Sequence, residues 1–446
     1  MKTLPNNWVE TTLSDVAEIY DSERKPVNSS EREKRISGKE KSELYPYYGA
    51  TGQVGYIDNY IFNDEFVLLG EDGAPFLEFL AKKAFIVRGK FWVNNHAHIL
   101  KSKTSNKFLC FFLNQFDYHN FVTGTTRYKL TQSDMCKIPI PLPPLAEQER
   151  IVAKIEELFA GIDAGVENLK SVKNQIALYR QSVLKSAFDG TLTAKWREQK
   201  HFIKHYIAMD KTPFEIPHEW EWFKLSQLGN IGRGKSKHRP RNDKKLFGGK
   251  YPFIQTGEIK ACKRYLKDYT ETYSDFGLAQ SKLWSENTLC ITIAANIAET
   301  AILKIKACFP DSVVGFIKND LISKIEYIEY YIRLIRENLD KAAPATAQKN
   351  INLQTLNEIL VPVPTLAEQE RIVAEIESRF ERADALETAV DRALNDAEKL
   401  KQAVLKKAFS GKLVPQNPDD EPASVLLARI RAARASEQRA KKGKRK

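Results

Sequence analysis

The 446-residue chain is 42% hydrophobic and 28% charged, a balance that excludes a disordered tail-like protein and leaves room for two or three domains, each with its own core. Its formal charge is +12, yet Arg429 to Lys446 alone carries nine basic residues and one acid, so the rest is only mildly basic. No apolar run reaches the length of a membrane span, the opening MKTLPNNWVE lacks a signal-peptide core, and five scattered cysteines suit reduced thiols in a cytoplasmic protein.

Residues 1–144 read as a first globular α/β part. It contains NNHAH, in which His96 and His98 have none of the neighbouring ligands that a metal centre needs, so they read as satisfied polar residues. It closes on GTTRYKLTQ (124–132) and a proline-rich lead, PIPLPP. Residues 145–190 then predict one long helix. Ile151, Ile155, Leu158, Ile162, Val166, Leu169, Val172, Ile176, Tyr179 and Val183 recur at steps of three and four and form a single apolar stripe, as in a coiled coil. Gly190 stands where a left-handed stop is expected. At 1.5 Å per residue the helix from Leu145 to Phe188 is about 66 Å long. A linker (191–211) follows, and His201 and His205 read as its surface.

The second globular part, 212–365, opens with IPHEWEWFKLSQL and then GNIGRGKS, Gly229 to Ser236, whose spacing is that of a phosphate-cradling P-loop. The surroundings argue against a nucleotide hydrolase. The preceding stretch is amphipathic rather than a buried strand, and Pro240 falls where the phosphate-binding helix has to run. The same region, RGKSKHRPRNDKK (233–245), offers seven basic side chains, His238 and a single acid. Arg233, Lys235, Lys237, His238, Arg239 and Arg241 are therefore expected at nucleic acid, where lysine and arginine grip phosphate and arginine can also fork a guanine edge. Residues 366–411 predict a second long helix, with Thr365 and Glu368 as a capping box, Ile372, Ile376, Phe380, Val390, Leu400 and Val404 on its stripe, and Gly411 as its stop. Residues 412–446 are a basic C-terminal tail, read either as a solvated run or as a nucleic-acid contact.

The chain repeats itself. PLPPLAEQERIVAKIEELFAGIDA (141–164) matches PVPTLAEQERIVAEIESRFERADA (362–385) at 16 of 24 positions, and the same shift of 221 residues aligns QSVLKSAFDGTL with QAVLKKAFSGKL. Upstream, Trp8 lies opposite Trp220 and Leu13 opposite Leu225. The expected architecture is two pseudosymmetric globular parts with the two helices packed antiparallel. The quartet Glu147, Gln148, Glu149, Arg150 recurs as Glu368, Gln369, Glu370, Arg371. Acids suit a first helical turn and Glu–Arg pairs can form locally. As polar surface positions with no core to satisfy, their repetition favours a docking surface used twice, through Glu147, Gln148, Arg150, Glu368, Gln369 and Arg371.

The duplicated block PLPPLAEQERIVAKIEELF…AVLKKAFSGKL, set around two dissimilar parts and covering nearly the whole chain, resembles the specificity subunit of Type I restriction–modification enzymes. The resemblance implies an α/β fold with two target recognition domains separated by long antiparallel coiled-coil helices. It also implies a non-catalytic subunit that needs no cofactor. Each domain would read one half of a split double-stranded DNA site. The helices would set the half-site spacing and dock two methyltransferase subunits, with restriction and translocase subunits joining. It places Thr125, Thr126, Arg127, Tyr128 and Lys129 near DNA, and likewise Gln348, Lys349 and Asn350 in the aligned ATAQKNINL (345–353). A protein-only coiled-coil scaffold would not need two unlike readers.

Overall fold

The computed structural model describes residues 4–79, 81–200, 212–294, 296–342 and 350–443. They form two compact units, one built from Met1–Lys170 with Asp391–Lys446 and the other from Ser171–Val390. In the first unit an antiparallel sheet runs in the order Ala17–Ile19, Ala97–Ser102, Phe66–Gly70, Ala84–Val87. The second unit repeats this order with Gly229–Arg233, Val313–Lys318, Leu289–Thr292, Thr300–Leu303 and adds Tyr265–Leu266 in parallel at the edge. The central strands are buried on both faces, which is why FVLLG, LCIT and TAIL carry no charged residue and are apolar but for Thr292 and Thr300. One helix follows each sheet in sequence, Asn106–Gln115 in the first unit and Ile325–Ala342 in the second.

In both units the chain enters and leaves side by side. Val9–Thr12 pairs antiparallel with Pro139–Leu142, and Glu221–Lys224 pairs with Leu360–Val363. Prolines fit these strands because each pair is a two-stranded ribbon with free edges. Each leaving strand runs directly into a long helix, Leu145–Phe188 or Leu366–Ala408. Within the first unit, Lys401 pairs with Asp163 and its ammonium lies over the Phe159 ring at 5.2 Å. Within the second, Arg180 pairs with Asp384 and, at 2.8 Å, with Glu387. Gln416, past the end of the second helix, also reaches Glu147 at the start of the first, and Arg197, past the end of the first, reaches Glu368 at the start of the second, so in each unit the two helices run antiparallel. The apolar stripe holds with two corrections: Tyr179 and Leu400 are 42% and 53% exposed, and the inward places beside them are taken by Arg180 and Lys401, whose charges meet acids across the helix pair.

The helices stop as expected. Gly190 and Gly411 have φ of +80° and +68°, and a Cβ on either would fall 2.3 Å from a ring carbon of Pro217 or Pro5. Only glycine fits both the dihedral and the contact. These contacts are one side of a junction that occurs once in each unit. The Trp8 indole N–H donates to Glu147 Oε2 at 3.0 Å, and Gln416 donates to Oε1 at 2.6 Å. The Trp220 indole N–H donates to Glu368 Oε2 at 3.0 Å, while Thr193 and Arg197 donate to Oε1 at 2.7 and 2.6 Å. The capping box at Thr365 is therefore only half formed: its hydroxyl accepts from the Glu368 N–H at 3.4 Å, but the Glu368 carboxylate turns inward to the indole.

The C-terminal tail is likewise more structured than a solvated run. Ala423–Gly443 is a helix whose Ala423, Leu426, Leu427 and Ile430 are buried in the first unit. Arg431 binds Asp15 at 2.8 Å and holds that carboxyl below its ordinary range, and Arg434 donates to the Ser14 carbonyl at 2.6 Å.

Replacing Glu147 or Glu368 by alanine leaves a buried indole N–H without an acceptor and should destabilise the chain by about 1–3 kcal/mol each. Glutamine, which keeps an acceptor oxygen, should cost less. Urea unfolding of the two alanine and two glutamine variants checks the order.

Candidate nucleic-acid interface

The loops that differ between the units lie at equivalent places in the repeated frame. In the first unit GTTRYK forms the turn of a small hairpin, Val122–Thr123 with Lys129–Leu130. Its base is stitched to the loop after the central strand: the Leu130 N–H donates to the Glu71 carbonyl at 2.8 Å, and the Gly73 N–H to the Tyr128 carbonyl at 2.9 Å. In the second unit Ile351 donates to Ile293 at 3.0 Å and Asn350 bridges Ala294, which reproduces the attachment 221 residues on. Thr125, Thr126, Arg127 and Lys129 are exposed and Tyr128 is half-buried against the core. Asn350 is exposed, whereas Gln348 and Lys349 lie outside the described residues, as do His201 and His205.

Beneath the first hairpin lies a buried polar network. His98, fully buried, bonds Asp21 Oδ2 through Nδ1 at 2.6 Å and the Leu130 carbonyl through Nε2 at 3.0 Å. A carbonyl only accepts, so Nε2 is the donor to Leu130 while Nδ1 faces the Asp21 carboxyl. Arg24 donates to Glu71 at 2.6 Å and to the Ala97 carbonyl at 3.0 Å. Asp21, Glu71 and His98 have the residue types of a metal centre. Both ring nitrogens are already bonded, however, and the Arg24 guanidinium supplies the positive charge, so the network braces the hairpin base.

The basic loop of the second unit is organised by two acids. Asp311 receives Arg241 at 3.0 Å on both carboxylate oxygens, and its carbonyl accepts from Arg233 Nε at 3.0 Å. His238 bonds Asp243 at 2.8 Å and packs edge-on against Phe276, and Arg239 donates to the Ser236 carbonyl at 2.6 Å. Lys235 and Lys237 are exposed, with no acid partner among the described residues. The P-loop spacing has a different cause. Gly229–Arg233 is a sheet strand paired with Val313–Lys318, and the next helical turn is the short one at Lys244–Leu246. A Cβ at Gly229 would lie 2.3 Å from the Ile317 carbonyl oxygen and one at Gly234 2.3 Å from that of Phe309, so these glycines permit close backbone approach and do not cradle phosphate.

The repeated quartet needs correction. Glu147, Gln148, Glu368 and Gln369 are at most 1% exposed, so their repetition is explained by the junction and by carbonyl contacts. Gln148 donates to the Pro143 carbonyl at 3.0 Å; Gln369 donates to Pro364 at 3.0 Å and Leu321 at 2.9 Å and accepts from the Ser323 N–H. Arg150 clasps Asp420 with both terminal nitrogens, the nearer at 2.6 Å, and holds that carboxyl below its usual range. Arg371 pairs with Glu375 and stays half exposed. The repeat still leaves Leu145 and Leu366 open to solvent at 40% and 49%, together with Ala146, Glu149, Ala367 and Glu370. Trp8 and Trp220, at matched places before each entering strand, were the signal that a buried acceptor follows.

If the network is structural, His98→Ala should destabilise the first unit by about 1–3 kcal/mol, because the buried Asp21 carboxyl and the Leu130 carbonyl each lose a hydrogen-bond partner. It should also speed amide exchange of Leu130 and Gly73. A strong chelator should leave the wild-type melting temperature unchanged; a drop on chelation would show that the cluster holds a metal.

Among known proteins, residues 5–174 and 217–395 match the family described as Type I restriction modification DNA specificity domain. The chain is similar to a putative type I restriction enzyme specificity subunit of Haemophilus influenzae, 27% identical over 404 residues that cover 89% of this chain and 94% of that one. It is similar also to the type I restriction enzyme EcoDI specificity subunit of Escherichia coli, 26% identical over 426 residues covering 88% and 89%. The crystal structure of the HsdS subunit from Thermoanaerobacter tengcongensis shares the fold, with a TM-score of 0.54 at 19% identity over 92% of this chain and 98% of that one. Among the described residues no helix is long and apolar enough to cross a membrane.

Proposed function

We propose that this chain, which belongs to the Type I restriction–modification DNA specificity family, reads one asymmetric, interrupted DNA sequence with one half assigned to each unit. It is the DNA specificity subunit of such a system, a non-catalytic part of a complex that binds DNA. The observation that carries the two-half reading is the repetition of one frame, with the same strand order and the same tryptophan–carboxylate junction, around loops whose residues differ. A shared frame with unlike loops suits two readers of unlike sequences.

In this reading Thr125, Thr126, Arg127, Tyr128 and Lys129 meet one half-site. Arg233, Lys235, Lys237, His238, Arg239 and Arg241 meet the other, with Asn350 and its sequence neighbours Gln348 and Lys349. Lys235 and Lys237, which lack acid partners among the described residues, serve phosphate, and phosphate contacts position the units while base contacts specify. Two methyltransferase subunits dock on what the junctions leave exposed, Leu145, Ala146 and Glu149 at one helix start and Leu366, Ala367, Glu370 and Arg371 at the other. The buried Glu147, Gln148, Glu368 and Gln369 hold those positions in place. Translocating nuclease subunits join this complex in the cytoplasm, and the partners carry out adenine methylation and ATP-dependent cleavage.

Mapping modified adenines across the host genome, with and without this gene and with its methyltransferase partner present in both, tests the reading. Loss of methylation at one interrupted, asymmetric motif is expected. An unchanged methylation pattern, with the partner shown to be active, would contradict it. The helices are further proposed to set the number of base pairs between the half-sites. Removing one heptad from Leu145–Phe188 and the facing heptad from Leu366–Ala408 should change that number while leaving both half-sequences intact; an unchanged gap would rule the spacing role out.

A further inference from the structure

Arg127, the single arginine in the sequence of the first hairpin, has 61% of its side chain open and is nevertheless held at three points. Its Nε lies 2.7 Å from Asp72 Oδ1. Its stem and Nε cross the bare face of Gly73, where a Cβ would lie 3.3 Å from Nε and 3.8 Å from Cγ. Gly73 has a φ of +78°, so the position resists any other residue on backbone grounds as well. The third hold is the main chain: residues 72 and 129 form a bridge, and the Gly73 N–H bonds the Tyr128 carbonyl beside Arg127. Asp72 is itself placed by His96, 3.6 Å away, and the loop that carries it rests on the Arg24–Glu71 and His98–Asp21 network.

With Nε tied down, the two terminal nitrogens of Arg127 have no partner among the described residues. They form one flat edge with two parallel donors, the pattern that matches O6 and N7 of guanine in the major groove. A phosphate could accept the same fork, and the charge decides between them. Asp72 cancels the charge of Arg127, so the pair gains little from the phosphate field, and its carboxylate repels a phosphate brought close. What the pair keeps is direction, since holding the side chain in advance removes much of the rotamer entropy that a free arginine loses on binding. We infer that Arg127, buttressed by Asp72, is the residue of the first unit that selects a guanine in its half-site. This rests on the DNA-reading function proposed above. In the second unit Gln348 stands 221 residues on from Arg127, and Ala294, the bridge partner of Asn350, takes the place that Asp72 has as bridge partner of Lys129, so the pair of side chains is not repeated there, and the guanine requirement belongs to one half of the motif only.

The test uses the assembled methyltransferase complex and a library of sites that varies every base of the motif. Wild type should require guanine at one position of the half-site read by the first unit. Arg127→Ala should relax that position alone, lowering discrimination against the other bases about tenfold to a hundredfold. Arg127→Lys, which keeps the charge without the fork, should not restore it. Asp72→Asn should loosen the same position while leaving binding to unrelated DNA equal or tighter, because a negative charge is gone. Unchanged thermal unfolding confirms that the variants fold. An Arg127→Ala complex that methylates the same motif, with binding weakened evenly over all sequences and one fewer counterion in its salt dependence, would overturn the inference in favour of a phosphate contact. If the wild-type complex recognised no interrupted motif at all, the DNA-reading function would fall first and this assignment with it.

Discussion

A carboxylate buried against an indole is the constraint on which this structure depends. Glu147 and Glu368 stand one turn into the long helices, and each accepts a hydrogen bond from a tryptophan that precedes the entering strand of its unit. The remaining carboxylate oxygen is taken by residues that follow the stop glycine of the other helix, Gln416 in the first unit and Thr193 with Arg197 in the second. One acid therefore fixes the start of a unit, the start of a helix and the end of another helix at a single point. Burial pushes the Glu147 carboxyl above its ordinary range, and its two donors oppose that shift. The arrangement costs desolvation and returns a defined geometry, since three separate stretches of chain must meet for the acid to be satisfied.

Given that junction, the rest of each unit is free to vary. The strands that enter and leave lie side by side, so whatever sequence lies between them returns to the same place. The first unit fills that interval with two four-stranded sheets and a hairpin braced by His98, and the second adds an edge strand to the shared sheet and a basic loop held by Asp311. Polar loops can then differ without disturbing the frame, which is what a pair of readers for two different half-sites requires. The same logic accounts for the LAEQ repeat: its glutamate and glutamine are conscripted inward, and its leucine and alanine remain outside.

Much of this was legible from residues alone. The 221-residue repeat, the helical stripe, the two glycine stops and the failure of GNIGRGKS as a P-loop all rest on local rules, on periodicity, backbone dihedrals and neighbouring context. What stayed hidden depends on partners far apart in sequence. Glu147 reads as a surface acid because its indole partner is 139 residues away. The C-terminal helix reads as a charged tail because its four buried apolar side chains are outnumbered by basic ones, and because Asp15, which receives Arg431, is more than 400 residues upstream. His98 offered no local sign that its second nitrogen would reach the hairpin carbonyl at Leu130. Tyr179 lost its place on the stripe to Arg180 because two acids across the helix pair outweigh a ring that can stay wet.

The central claim is that one frame carries two independent readers, and a duplication tests it most directly. The segment between the paired strands of the first unit, residues 13–138, is replaced by its counterpart from the second, residues 225–359, with both junctions kept. Methylated sites of the folded chimera are then mapped in complex with the methyltransferase partner. The account predicts a motif in which the half-sequence of the second unit appears twice and that of the first has vanished. A folded, active chimera that still recognises the original first half-sequence would contradict it.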